Sequence, residues 1–131
     1  MRHLRFALLA VLALAGSISY QGQAHAICQG PVSELDVIGY ESITVSSTAI
    51  GFTAGTYAPS GTPPAIYAYV TTETNSIRFR ADGVAPTSSE GHLVAAPGAF
   101  EVCGTRAVTN LLMIRASADA TVKATYYRRR Q

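Results

Sequence analysis

The sequence predicts an all-β chain, folded as a single β-sandwich or jelly-roll-like domain behind an N-terminal signal peptide. Three observations predict it. Short β-branched and aromatic runs alternate at the two-residue period of half-buried strands, as in Ile43 with Val45 and Ile77 with Phe79. Clusters of Gly, Pro, Ser and Asn separate these runs, and no convincing amphipathic helix follows the leader. Of the 131 residues, 105 lie beyond the leader, the size of one domain with its own core.

The leader is residues 1–26. Arg2 and Arg5 precede an apolar run from Phe6 to Ala15, and Ala24-His25-Ala26 forms a small-x-small cleavage signature. The run is shorter than the roughly 20 residues needed to cross a bilayer, so no stable membrane insertion is expected after cleavage. Ile27, where a lipoprotein has a small residue, precedes Cys28. The expected location of residues 27–131 is periplasmic or extracellular.

Cleavage also changes the charge. It removes two of ten basic residues, leaving eight against eight acidic ones, and a formally neutral domain lacks the basic excess of a nucleic-acid binder. Both cysteines, Cys28 and Cys103, reach an oxidising compartment and are expected to form one disulfide. In the chain-entropy model, a loop of that length stabilises by about 4–5 kcal/mol. One histidine, His92, remains beyond the leader, too few ligands for zinc. No metal or other cofactor is expected.

The strands follow in order. The first is expected near Glu41 to Ser47, where Ile43 and Val45 alternate with Ser42, Thr44 and Ser46. A second, around Thr48 to Thr53, is weakened by Gly51. Gly55 to Pro64 holds two glycines and three prolines, the composition of a surface loop. Ile66 to Thr72 reads as a strand with Ile66, Ala68 and Val70 on one face and Tyr67, Tyr69 and Thr71 on the other. Ile77 and Phe79 alternate with Arg78 and Arg80 before the Asp82-Gly83 turn pair.

Two hairpins complete the expected fold. One pairs His92–Ala95 with Phe100–Cys103 across Pro97-Gly98, with Phe100 and Val102 facing away from Glu101 and Cys103. Cys103 is thereby placed off the main core, so the disulfide ties the new N-terminus to an outer face or edge. The other pairs Leu111–Ala116 with Ala120–Arg128 across Ser117 to Asp119, turning Leu112, Ile114, Val122, Ala124 and Tyr126 inward. Arg128 to Arg130 reads as a short basic tail beside Tyr126 and Tyr127, able to touch phosphate, lipid headgroups or a neighbouring subunit, with a frayed, soluble end as its ordinary role.

From Tyr67 to Tyr127 the chain carries Ile77-Arg78-Phe79-Arg80, Asp82-Gly83, Pro86-Thr87, Gly91-His92-Leu93, Leu111 to Arg115, Ala118-Asp119-Ala120 and Tyr126-Tyr127. This succession resembles small all-β accessory proteins encoded in phage structural-gene clusters. The resemblance implies a β-sandwich module that assembles on or decorates a virion or other particle surface.

Catalytic patterns are sparse. No Gly-x-Ser-x-Gly elbow and no phosphate-binding glycine loop occurs, so no catalytic residue is expected and the chain is not expected to be an enzyme. Asp82, Glu90 and His92 form the one acid–imidazole grouping with a use in proton exchange or cation binding, and a solvated loop is its ordinary role. Tyr67 and Tyr69 present neighbouring rings on one sheet face, with Tyr57 as a candidate third, a platform suited to sugars or peptide side chains. Arg78 and Arg80 form a same-face pair able to grip carboxylates. The expectation is therefore a non-catalytic structural or interaction module contacting a protein partner, or itself, through Arg78, Arg80, Tyr67 and Tyr69. A glycan- or peptide-binding protein is the alternative.

Overall fold

Valine and tyrosine at alternate positions drive the chain into extended segments, and the computed structural model, which describes residues 34–131, shows eight of them. They are β1 (Leu35–Val45), β2 (Ile50–Gly51), β3 (Tyr67–Thr72), β4 (Ile77–Arg80), β5 (His92–Val94), β6 (Gly98–Cys103), β7 (Leu112–Arg115) and β8 (Ala120–Arg129). They build two four-stranded antiparallel sheets, in the orders β1-β8-β3-β6 and β2-β7-β4-β5, packed face to face as a β-sandwich. The leader, its cleavage site and Cys28 lie outside the described residues.

Strand pairing departs from both expected hairpins. β5 pairs with β4 while β6 pairs with β3, and β7 pairs with β4 and β2 while β8 pairs with β1 and β3. The connections β5–β6 and β7–β8 therefore arch between sheets. Two consecutive apolar strands bury as much surface facing each other as lying side by side, so local pattern does not separate arch from hairpin. Thr72, which is buried, fastens the first arch by sharing its hydroxyl hydrogen between the carbonyls of Ala95 (3.1 Å) and Gly98 (3.2 Å).

The inner faces meet in one core. Ile43, Val45, Ala68, Val70, Val102, Val122, Ala124 and Tyr126 project from the first sheet, against Ile77 and Met113 from the second. Phe79 stacks on Phe100 across the gap, with centroids 4.4 Å apart and planes within 13°, an arrangement that adds quadrupole attraction to area burial. Val122, Ala124 and Tyr126 face inward as expected. Leu112 and Ile114 do not: Leu111 and Met113 are the buried residues of that run. With four apolar residues in succession, alternation leaves the inward parity open, and the register opposite Arg80 and Arg78 sets it.

Two short helices occupy connections in which none was expected, α1 (Ala54–Tyr57) and α2 (Thr105–Asn110). Each is too short to show a 3.6-residue period, which explains their absence from the sequence pattern. α2 buries Val108 and starts after Gly104, whose φ of 95° suits glycine. α1 lowers Tyr57 onto Tyr126, with ring centroids 6.2 Å apart, while Phe52 meets the same ring edge-on at 5.2 Å. Gly55 to Pro64 is thus part helix, and Tyr57 belongs to the core.

β1 begins earlier than expected because β8 continues to Arg129 and pairs with it, Leu35 opposite Arg129. A register shift between Val37 and Gly39 hides this pairing from a strict alternation count. The basic end is likewise ordered: the Arg130 backbone N–H donates to the Glu34 carbonyl (2.8 Å), and its Nε to Asp36 (3.0 Å).

Gly39 is where α1 approaches the sheet. A Cβ there would sit 2.6 Å from the Thr56 carbonyl oxygen and 2.9 Å from Thr56 Cγ2. Gly39→Ala is expected to cost about 1–3 kcal/mol. Gly55→Ala, whose added Cβ meets nothing, should be neutral or stabilising by up to about 1 kcal/mol. Urea unfolding midpoints of the two variants test this opposition of sign.

Candidate functional site

Residues opposite each other in antiparallel strands share a face, so the register defines what each outer surface carries. On the first sheet one row runs Tyr40, Thr125, Tyr69, Glu101, and the next runs Val37, Tyr127, Tyr67, Cys103. A third, Ser42, Lys123, Thr71, Ala99, is polar, with Lys123 3.6 Å from Glu73. The face therefore grades from aromatic to polar along the strands.

Exposure concentrates in the aromatic rows. Val37 is 61%, Tyr40 58% and Tyr69 41% exposed, unusual for large apolar side chains grouped on one face. Tyr67 is different. It shares the face with Tyr69 yet is only 4% exposed, and its ring lies 5.1 Å from that of Tyr127. Burial, then the charge of Glu101 and a hydrogen bond to it, raise the Tyr67 phenol above the usual tyrosine range.

Arg78 and Arg80 stand on the outer face of the other sheet, beside Ile114, Leu112 and Leu93. The structure thus brings Tyr67 and Tyr69 together, and Arg78 and Arg80 together, but puts the two pairs on opposite sides of the sandwich. Arg78 donates from Nε to the Ser88 carbonyl (2.8 Å) and from Nη1 to the Gly91 carbonyl (2.9 Å), pinning the loop between β4 and β5. Arg80 grips Asp82 in a fork, Nε to Oδ1 at 3.1 Å and Nη2 to Oδ2 at 2.5 Å. Both guanidinium groups have intramolecular partners.

Asp82, Glu90 and His92 line one open cleft of about 530 Å³ together with Arg80, Ala81 and Gly91. Within it, the Arg80 hydrogen bond first and the Val84 backbone N–H second hold the Asp82 carboxyl down at about 2. The His92 ring packs on Phe79 at 5.2 Å. Among the described residues, no three of His, Cys, Asp and Glu assemble into a group able to hold a metal ion. No described helix is long and apolar enough to cross a membrane. Cys103 occupies the outer-face row, as expected, and is not a free thiol.

The sequence reading missed Val37 and Tyr40. Their spacing across the β1 irregularity breaks the two-residue period, so alternation did not join them to Tyr69; the shared register with β8 does. Comparison with protein-family models, with characterised proteins and with solved structures finds no match to this chain.

A lowered carboxyl pKa means that the Arg80–Asp82 pair is intact above the ordinary Asp value of 3.8 and is lost as pH falls through about 2. The Asp82 side-chain carbon should titrate near 2 by NMR and move toward 3.8 in Arg80→Gln. Arg78→Met should speed amide exchange at Thr87 and Glu90, which now bond to Glu90 O and Thr87 Oγ1, while leaving β3 and β8 protected.

Proposed function

We propose that the protein is a non-catalytic interaction module, an exported and disulfide-closed β-sandwich that serves as an accessory subunit on a particle or cell surface. The observation that carries this reading is the exposure of Val37, Tyr40 and Tyr69 together on the outer face of the first sheet. Tyrosine supplies large contact area with few rotors to immobilise and a hydroxyl for the wet rim, and it is enriched at protein interfaces for these reasons. The resemblance of residues 67–127 to phage accessory modules supports assembly as the purpose. The partner is a protein, with self-association the simplest case.

Arg78 and Arg80 enter this proposal as loop-fastening residues, because their donors already have acceptors. The cleft at Asp82, Glu90 and His92 is left without a catalytic role. A second reading, a glycan or peptide binder, is favoured by one observation: Tyr40 and Tyr69 flank the short Thr125, leaving two exposed rings on a flat face suited to stacking.

The test is Tyr40→Ser combined with Tyr69→Ser. Both side chains are exposed, so the unfolding midpoint should stay within about 0.5 kcal/mol of the parent. Sedimentation velocity and cross-linking in the native fraction should show loss of association. Undiminished association would overturn the assignment of the face. A monomeric parent whose chemical-shift changes on adding soluble glycans are confined to Tyr40, Tyr69 and Thr125 would replace it with the second reading.

A further inference from the structure

The connection between β4 and β5 is fastened at several points. Arg78 donates to the Ser88 and Gly91 carbonyls, the Glu90 N–H donates to the Thr87 hydroxyl (3.0 Å), and the Thr87 N–H donates to the Glu90 carbonyl (3.0 Å). Pro86, whose ring fixes its own φ, is buried. Together these bonds hold the segment as an ordered wall beside the outer face of the second sheet. Between it and the end of β7 lies an open groove of about 530 Å³. Pro86, Thr87 and Ser88 line it from the wall, Ile114 to Ser117 from β7 and the turn beyond, and Ser47 from the connection between β1 and β2. We propose that this groove binds one unit of a neutral saccharide.

The chemistry of the lining selects that class. Among the described residues, the hydroxyls of Ser47, Ser88 and Ser117 have no hydrogen-bond partner, and neither do Nε and Nη2 of Arg115. A serine hydroxyl both donates and accepts, so this set matches a ligand with hydroxyls of its own better than one that only donates or only accepts. Pro86, Ile114 and Ala116 add apolar surface for the C–H face of a sugar ring. Charge weighs against an ion. Arg115 is answered by Asp119 at 2.6 Å, and no other ionisable side chain lines the groove, so neither an anion nor a cation meets a net counter-charge.

Size and order suit the role as well. The volume falls within the roughly 300–1,000 Å³ typical of small-molecule sites. The side of the groove at β7 is held like the wall: the Arg115 N–H donates to the Ser46 carbonyl (3.0 Å) and the Ala116 N–H to the Ser76 carbonyl (3.0 Å). Groups fixed before a ligand arrives lose little freedom on binding it. Ile114 places the groove on the outer side of the second sheet, across the sandwich from Tyr40 and Tyr69. The inference therefore stands apart from the assembly face and from the tyrosine platform, both of which lie on the first sheet.

Chemical-shift titration of isotope-labelled protein, expressed from the full chain, tests it with the methyl glycosides of glucose, galactose and mannose and with N-acetylglucosamine. At least one of these sugars should perturb Thr87, Ser88, Arg115 and Ser117 together while Tyr69 and Thr125 stay unmoved. Ser88→Ala and Ser117→Ala should each raise its Kd about three- to tenfold, and Arg115→Gln about tenfold. Both serines are exposed, so these two variants should keep the parent's unfolding midpoint and isolate binding from folding. Sodium acetate and methylammonium chloride at the same concentrations should leave the groove unmoved. Silence with all of the sugars would overturn the proposal. So would shifts confined to Tyr40, Tyr69 and Thr125, a Kd unchanged in both serine variants, or an equal response to acetate or methylammonium.

Discussion

The pairing of β8 along both of its edges is the constraint on which the other features depend. Ala120–Arg129 bonds to β1 on one side and β3 on the other, and its alternate side chains divide the molecule. Val122, Ala124 and Tyr126 point into the core, while Thr125 and Tyr127 support the outer surface. At the inward end, Tyr126 is fully buried, and its hydroxyl donates to Glu41 Oε1, which also accepts the Thr53 N–H at 3.0 Å. That carboxylate satisfies the one polar atom of the largest core ring and the entry to α1 together. An unpaired phenol at this depth would cost about 1–3 kcal/mol. Burial and the Glu41 contact both push the Tyr126 phenol upward, so it keeps its proton and remains a donor at ordinary pH.

The two outer faces then diverge for electrostatic reasons. On the second sheet, the outer-face arginines turn back onto their own loop, Arg78 onto Ser88 and Gly91 and Arg80 onto Asp82. Such short-range pairs are screened by solvent and contribute little to stability, but they fix loop conformation and occupy the donors. On the first sheet the aromatic rows have no comparable internal use for Tyr40 and Tyr69, which remain exposed. What separates the two faces is therefore less the presence of arginine or tyrosine than which of these side chains is left exposed after folding.

Much of the architecture was readable from the chain, and the reason differs by element. Ile43 and Val45, Ala68 and Val70, and Phe100 and Val102 alternate against polar or exposed neighbours, so one register alone buries them, and the structure agrees. The all-β class and the sandwich follow from such repeats. Where alternation failed, placement failed too. The run Leu111 to Ile114 offers two equivalent parities, and the irregularity at Gly39 displaces Val37 from the period of Tyr40. The four- and six-residue helices fall below the length at which a helical period is visible.

Sequence by itself determined composition-level and single-strand properties: extended segments, their inward residues where alternation is clean, and a tyrosine pair sharing one face. Tertiary structure alone decided strand partners, and with them the candidate site. Nearly all successive strands change sheets, the exception being β4 to β5, so residues near in sequence face opposite layers and the outer-face rows join strands far apart in the chain. Tyr40 meets the row of Tyr69 only through Thr125 on β8 between them, and Arg78 is carried to the opposite surface from Tyr69 by a single connection. The physical reason is that hydrophobic burial is non-directional. It rewards any arrangement that covers the same apolar faces, and the choice among them falls to backbone pairing between distant segments, which no local pattern encodes.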